Sequence, residues 1–165
     1  LKNAVQSVLA LGGNLGDREA NINAAVAKID ALKKVKVRGL SPLVESYAVT
    51  SSGVDQSKPN YLNAVIKVDT KLKPKKLLKR LRQVEAELGR VRLERWGSRT
   101  MDIDIITYGQ EISAKKTLTL PHPRAYQRAF VLVPWNLLDS EAVLPGHGKV
   151  SELAKDLEKD VWVVS

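Results

Sequence analysis

The chain reads as an α+β protein of the ferredoxin-like plan, a β-α-β-β-α-β core with helices packed on a mainly antiparallel sheet. Apolar residues recur at helical spacing in two segments, Ile22, Ala25, Val26, Ile29 and Leu32, then Leu77, Leu78, Leu81, Val84 and Leu88. Strand-like apolar stretches, Val5 to Leu11 and Tyr61 to Asp69, precede these helices. A further strand is written in Met101, Ile103 and Ile105 alternating with Asp102 and Asp104. In chain order this gives strand, helix, strand or strands, strand, helix, strand.

The first strand ends at Gly12-Gly13-Asn14-Leu15-Gly16, a turn needing permissive backbone. It has no Walker lysine and is not a dinucleotide fingerprint, so it reads as a tight turn. Asp17 is a good N-cap for the helix that follows. Val35 to Val49 reads as one or two strands broken near Ser41-Pro42, and Thr50 to Pro59 as a polar, flexible stretch. In the strand from Tyr61, Leu62, Ala64, Ile66 and Val68 point one way, leaving Tyr61 and Asn63 on the other face, where a ligand could meet them. Pro74 suits the first turn of the second helix and Gly89 its stop, with Glu85 inside the apolar stripe. Such a carboxylate is more often paired with an arginine than used on a ligand. Val150 to Leu157 reads as a short helix and Val161 to Val164 as a last strand.

At 165 residues the chain is long enough for one well-formed domain spanning residues 1–165. A formal charge of +9 favours an anionic partner, although the basic run from Lys71 to Arg82 falls largely on a solvated helix face. There is no cysteine, which removes disulfides, thiolate metal sites and cysteine nucleophiles and agrees with a cytoplasmic protein. The apolar runs Val5 to Leu11 and Phe130 to Leu138 are too short to span a bilayer, and Leu-Lys-Asn-Ala is no signal-peptide start, so no membrane partner is expected.

Asp102 and Asp104 carry the chemistry. On one strand face their side chains sit roughly 6.5 to 7 Å apart, which suits hard cations. Arg90, Arg92, Arg95 and Arg99 lie just upstream, setting the carboxylate pair beside dense phosphate-binding charge. Cation plus arginines implies a polyphosphate, and a loop so charged is expected to stay mobile until an anion arrives. His122, between Pro121 and Pro123, has a stiffened backbone that can aim its ring; Phe130, the only phenylalanine, heads an apolar run and suits core packing or ligand contact equally.

These residues resemble one family, the 6-hydroxymethyl-7,8-dihydropterin pyrophosphokinases of folate biosynthesis. The most specific element is Arg-Trp-Gly-x-Arg-x-x-Asp-hydrophobic-Asp-hydrophobic-hydrophobic, complete from Arg95 to Ile106. Leu11 to Gly16, Tyr61 to Val65, Glu85 before Gly89 to Arg92, Leu120 to Arg124 and Arg128 to Leu132 support it in matching order. Gly13 stands where the family usually has Ser, and the stretch from Ser51 to Gly53 is less Pro-rich and apolar than usual.

The resemblance implies transfer of pyrophosphate from ATP to the pterin alcohol. Asp102 and Asp104 would hold two Mg²⁺ ions; Tyr61 and Phe130 would sandwich the pterin, Asn63 would hydrogen-bond its ring edge, and Thr50 and Trp96 would add contacts. Arg90 and Arg99 would act on the phosphates. Glu85, Arg92, Thr119, His122 and Arg128 would serve as further ATP contacts. No nucleic-acid partner is expected. An RNA-binding module of this fold lacks the aromatic RNP pattern and leaves the aspartates without a job, while a metal-dependent phosphohydrolase leaves Tyr61, Asn63 and Phe130 unexplained.

Overall fold

Strand β1 (Val5–Gly13) leads into α1 (Arg18–Asp30), which Asp17 starts by accepting the Ala20 N–H at 3.1 Å. The next strand breaks as expected into β2 (Val35–Leu40) and β3 (Val44–Ser46). Ser41 spans the break: its N–H donates to Val65 O and its hydroxyl accepts Val65 N–H, both at 2.9 Å. The polar stretch from Thr50, for which no strand was expected, contributes to a small hairpin, β4 (Ala48–Thr50) and β5 (Gly53–Asp55). Gly53 at φ +102° permits that turn, a local conformation that polar composition does not reveal.

Then come β6 (Tyr61–Thr70), α2 (Pro74–Glu87) and β7 (Asp102–Tyr108). Pro74 sits in the first turn of α2, and Gly89 just beyond it takes the left-handed φ of +77°. A second hairpin, β8 (Ser113–Lys115) and β9 (Leu118–Leu120), precedes α3 (Ala129–Leu138). The chain continues through the short β10 (Val143–Leu144) and β11 (Gly148–Lys149) to α4 (Val150–Ala154) and β12 (Val161–Val163). The structure, a computed structural model, describes residues 1–89 and 100–165, so the expectations for Arg90, Arg92, Trp96 and Arg99 fall outside the described residues.

The main sheet runs β12-β3-β6-β1-β7, with β2 also on β6, and each of these pairings is antiparallel. Placing β6 between β1 and the β2/β3 strand is the split β-α-β arrangement the sequence predicts. One face of the sheet, with Leu9, Leu11, Ile66 and Ile103, packs on Ile22 and Ile29 of α1 and on Leu77 and Leu81 of α2. The opposite face packs Val8, Val65 and Ile106 against Leu132 and Trp135 of α3 and Val150 of α4.

Helix α3 is an addition to the expected core. Its segment is apolar nearly throughout and contains Pro134, so neither periodicity nor propensity marks it as a helix. Burial of Val131, Leu132 and Trp135 against the sheet stabilises it. Among the described residues no helix is long and apolar enough to cross a membrane.

Candidate active site

Strand register assembles the site. Asn63 pairs with Gly12, and Gly12 with Asp102; in the next row Val65 pairs with Ala10, and Ala10 with Asp104. Cross-strand partners project from the same face, so Asn63 and Asp102 stand on either side of a floor made of Gly12 and Ala10. At about 4.8 Å per strand their backbones are roughly 10 Å apart. The floor is low by necessity, since a Cβ at Gly12 would meet Asn63 Oδ1 at 2.8 Å. Asn63 is 3% exposed, and its Nδ2 donates to Ser46 Oγ at 2.9 Å. That bond orients the carboxamide and leaves Oδ1 over the glycine.

On the other side Asp102 and Asp104 are half-buried and flank Ile103. Among the described residues β7 is a terminal strand of the sheet, and two side chains of α2 meet its outer edge at Ile103. Glu85 Oε2 accepts Ile103 N–H at 2.7 Å, while Arg82 donates to Ile103 O at 2.8 Å. Arg82 also lies 2.8 Å from Glu85 Oε1 and 4.0 Å from Asp104 Oδ1. Glu85 is 1% exposed, and burial pushes its carboxyl pKa up despite the Ile103 N–H and Arg82, which oppose the rise.

The segment before α3 supplies the cationic wall. Arg128, the residue that starts α3, is half-buried; burial lowers its pKa, and the charges of Asp104 and Asp102 counter that. Its guanidinium carbon lies 5.4 Å from the Phe130 ring centroid. His122 N–H donates to Ile106 O at 2.8 Å, so the loop hangs from β7. The ring's Nδ1 accepts Arg124 N–H at 3.2 Å, which assigns the proton of the neutral ring to Nε2. Burial first, then Arg128 and Arg124, pull the His122 pKa down to about 4, with Asp102 opposing.

The same fold and residue order occur in known proteins. The family model for 7,8-dihydro-6-hydroxymethylpterin-pyrophosphokinase (HPPK) matches residues 8–140. This chain belongs to that family. A Haemophilus influenzae 2-amino-4-hydroxy-6-hydroxymethyldihydropteridine pyrophosphokinase is 40% identical over 151 residues, covering 92% of each chain. A Bacillus subtilis protein of the same name is 41% identical over 126 residues, 76% of this chain and 73% of its own. A Plasmodium falciparum HPPK-DHPS crystallised with pteroate shares the fold at a TM-score of 0.72 and 13% identity, over 95% of this chain and 45% of that one.

The remaining residues singled out by the resemblance to pyrophosphokinases are placed as follows. Tyr61 opens β6 and is half-buried, with the face of Asn63 by alternation. Phe130 is half-buried and packs against the α3 and α4 core as well as the smaller cluster of Val44, Ala129 and Val161. Thr119 lies on β9 and donates to Lys115 O at 3.0 Å. Thr50 closes the β4–β5 turn, its hydroxyl donating to Gly53 O at 3.3 Å and accepting Ser52 N–H at 3.2 Å. Glu85 reaches the site through the backbone of β7. Sequence reasoning put Gly12 in the turn that ends the first strand, whereas β1 runs to Gly13 and pairs Gly12 on both sides; it put Arg82 on a solvated helix face, and the three-residue interval to Glu85 was the available signal for its role.

Proposed function

We propose that the face carrying Asn63, Gly12 and Asp102 is where this family's reaction takes place. The chain is a pyrophosphoryl transferase of folate biosynthesis, moving pyrophosphate from ATP to hydroxymethyldihydropterin. The observation that carries the placement is the row Asn63–Gly12–Asp102, which sets a directional amide opposite a carboxylate pair across an unfilled floor.

On this reading Asn63 hydrogen-bonds the pterin edge, Tyr61 and Phe130 clamp its ring, and Thr50 and Trp96 add contacts. Asp102 and Asp104 would hold Mg²⁺, with two ions expected in the full complex. The donor set fits: Asp102 and Asp104 project two half-buried carboxylates from one strand face, and Mg²⁺ on one or two carboxylates takes its other ligands from water and phosphate. Held there, the metal would supply neutralisation of phosphate charge and a lowered pKa for the attacking hydroxyl. Arg128 adds positive charge beside the aspartates, and neutral His122 offers an Nε2–H donor without adding a further cation to Arg128 and Arg82. Arg92 and Thr119 complete the ATP contacts, Glu85 acts through the β7 backbone it holds and not on ATP directly, and Arg90 and Arg99 act on the phosphates. The pterin hydroxyl attacks the β-phosphorus in line and AMP departs, a reaction that needs positioning and electrostatics and no side-chain nucleophile.

The family match over residues 8–140 supports a single pterin pyrophosphokinase domain within 1–165. A cysteine-free composition is in keeping with the cytoplasm, and the substrates are small molecules, not nucleic acid or membrane. ATP and Mg²⁺ supplied with and without 6-hydroxymethyl-7,8-dihydropterin test the reading. Pterin-dependent AMP is expected; ADP or free phosphate without pterin would make the chain a phosphohydrolase.

A further inference from the structure

We propose that Arg82 and Glu85 of α2 are positioning residues for Asp102 and Asp104, setting the two carboxylates by gripping the peptide groups between them. This rests on the reading of those aspartates as metal ligands.

A terminal strand leaves alternate N–H and C=O groups pointing off the sheet, ordinarily into water. At Ile103, α2 supplies both missing partners, Glu85 Oε2 for the N–H at 2.7 Å and an Arg82 nitrogen for the carbonyl at 2.8 Å. The Ile103 N–H belongs to the planar unit that contains the Asp102 Cα, and the Ile103 carbonyl to the unit that contains the Asp104 Cα. Holding both groups therefore fixes both planes from which the carboxylates project. Arg82 and Glu85 are also 2.8 Å from each other, so the grip is a closed ring of contacts with Ile103. The same contacts satisfy two backbone groups of a buried residue, so a stability contribution accompanies the positioning, and metal binding is the readout that separates the two.

Arg82 has a competing description. Its guanidinium is 4.0 Å from Asp104 Oδ1, where its charge opposes a metal cation. The two descriptions predict opposite signs when Arg82 is changed, and its side chain is 44% exposed, so replacement does not threaten the core.

The experiment is Mn²⁺ binding followed by electron paramagnetic resonance, with a nonhydrolysable ATP analogue present, in the wild type, Arg82→Lys, Arg82→Met and Asp104→Asn. Positioning predicts that Lys, which keeps the charge but loses the planar fork, weakens Mn²⁺ binding about tenfold or more, and that Met does the same. The Ile103 amide should exchange faster in both ligand-free variants. Half-saturating Mg²⁺ for turnover should rise while the pterin KM holds. A Lys variant that binds Mn²⁺ like the wild type, or a Met variant that binds it more tightly, overturns the proposal. Unchanged Mn²⁺ binding in Asp104→Asn removes the metal reading itself, and positioning falls with it; loss there beside an unchanged Lys variant removes positioning alone.

Discussion

The carboxamide oxygen of Asn63 takes the space that a side chain at Gly12 would need, 2.8 Å from an ideal Cβ there. One residue is thereby required to be small so that the carboxamide of the other can lie over it. Gly12 lies in strand pairing between Asn63 and Asp102, so its size, not a left-handed backbone, is what the position demands.

Gly12→Ala should therefore fold with a cost of about 1 to 3 kcal/mol, the range for a core forced to accept one extra carbon. Pterin binding should weaken more than ATP binding because Asn63 must turn away. Urea denaturation and calorimetry with each ligand measure the two effects; equal losses for both ligands would mean general distortion.

Asp102→Asn and Asp104→Asn should each lower turnover by at least about a hundredfold while leaving thermal stability nearly unchanged. Both side chains are half-buried on the face proposed to carry the reaction, so the change removes charge and little packing. EDTA should abolish wild-type activity and Mg²⁺ restore it. Full activity of either variant at saturating Mg²⁺ would show that the pair does not hold the metal.

Asn63→Ala and Phe130→Ala should weaken pterin binding by about 1 to 3 kcal/mol each, one through a lost directional hydrogen bond and the other through a lost stacking face. They should differ in stability. Phe130 packs against two apolar clusters, so its truncation should also destabilise the fold by roughly 2 kcal/mol, about half the cost at a fully buried site. Calorimetry and denaturation on the same samples separate these contributions; unaltered pterin affinity in Phe130→Ala would leave Phe130 a core residue only.

His122 carries the pH prediction. Its pKa is about 4 in the folded protein against an ordinary 6.5, so between those values the unfolded chain binds a proton that the folded chain does not. Its contribution to stability is therefore complete above 6.5 and is lost as pH falls toward 4. Urea midpoints of the ligand-free protein should drop more steeply across this window in the wild type than in His122→Asn. Parallel curves would mean that His122 titrates normally.

Much of this was legible locally. The alternation around Asp102 and Asp104 placed both carboxylates on one face, the Asp17 cap and the two apolar stripes located α1 and α2, and the strand from Tyr61 put Tyr61 and Asn63 on the same side. Each of these follows from a period of two or 3.6 residues, which a short window contains.

Only tertiary structure decided that Asn63, Gly12 and Asp102 form one row, because register between distant strands depends on pairing that no local period encodes. It likewise decided that the apolar run containing Pro134 is a helix, since burial against the second sheet face outweighs a sequence with no amphipathic period. The grip of Arg82 and Glu85 on Ile103 belongs to the same class. The interval between the two residues on α2 is visible in the sequence, but the strand edge they meet comes from elsewhere in the chain, and it is the outward N–H and C=O of Ile103 that give the two side chains something to hold.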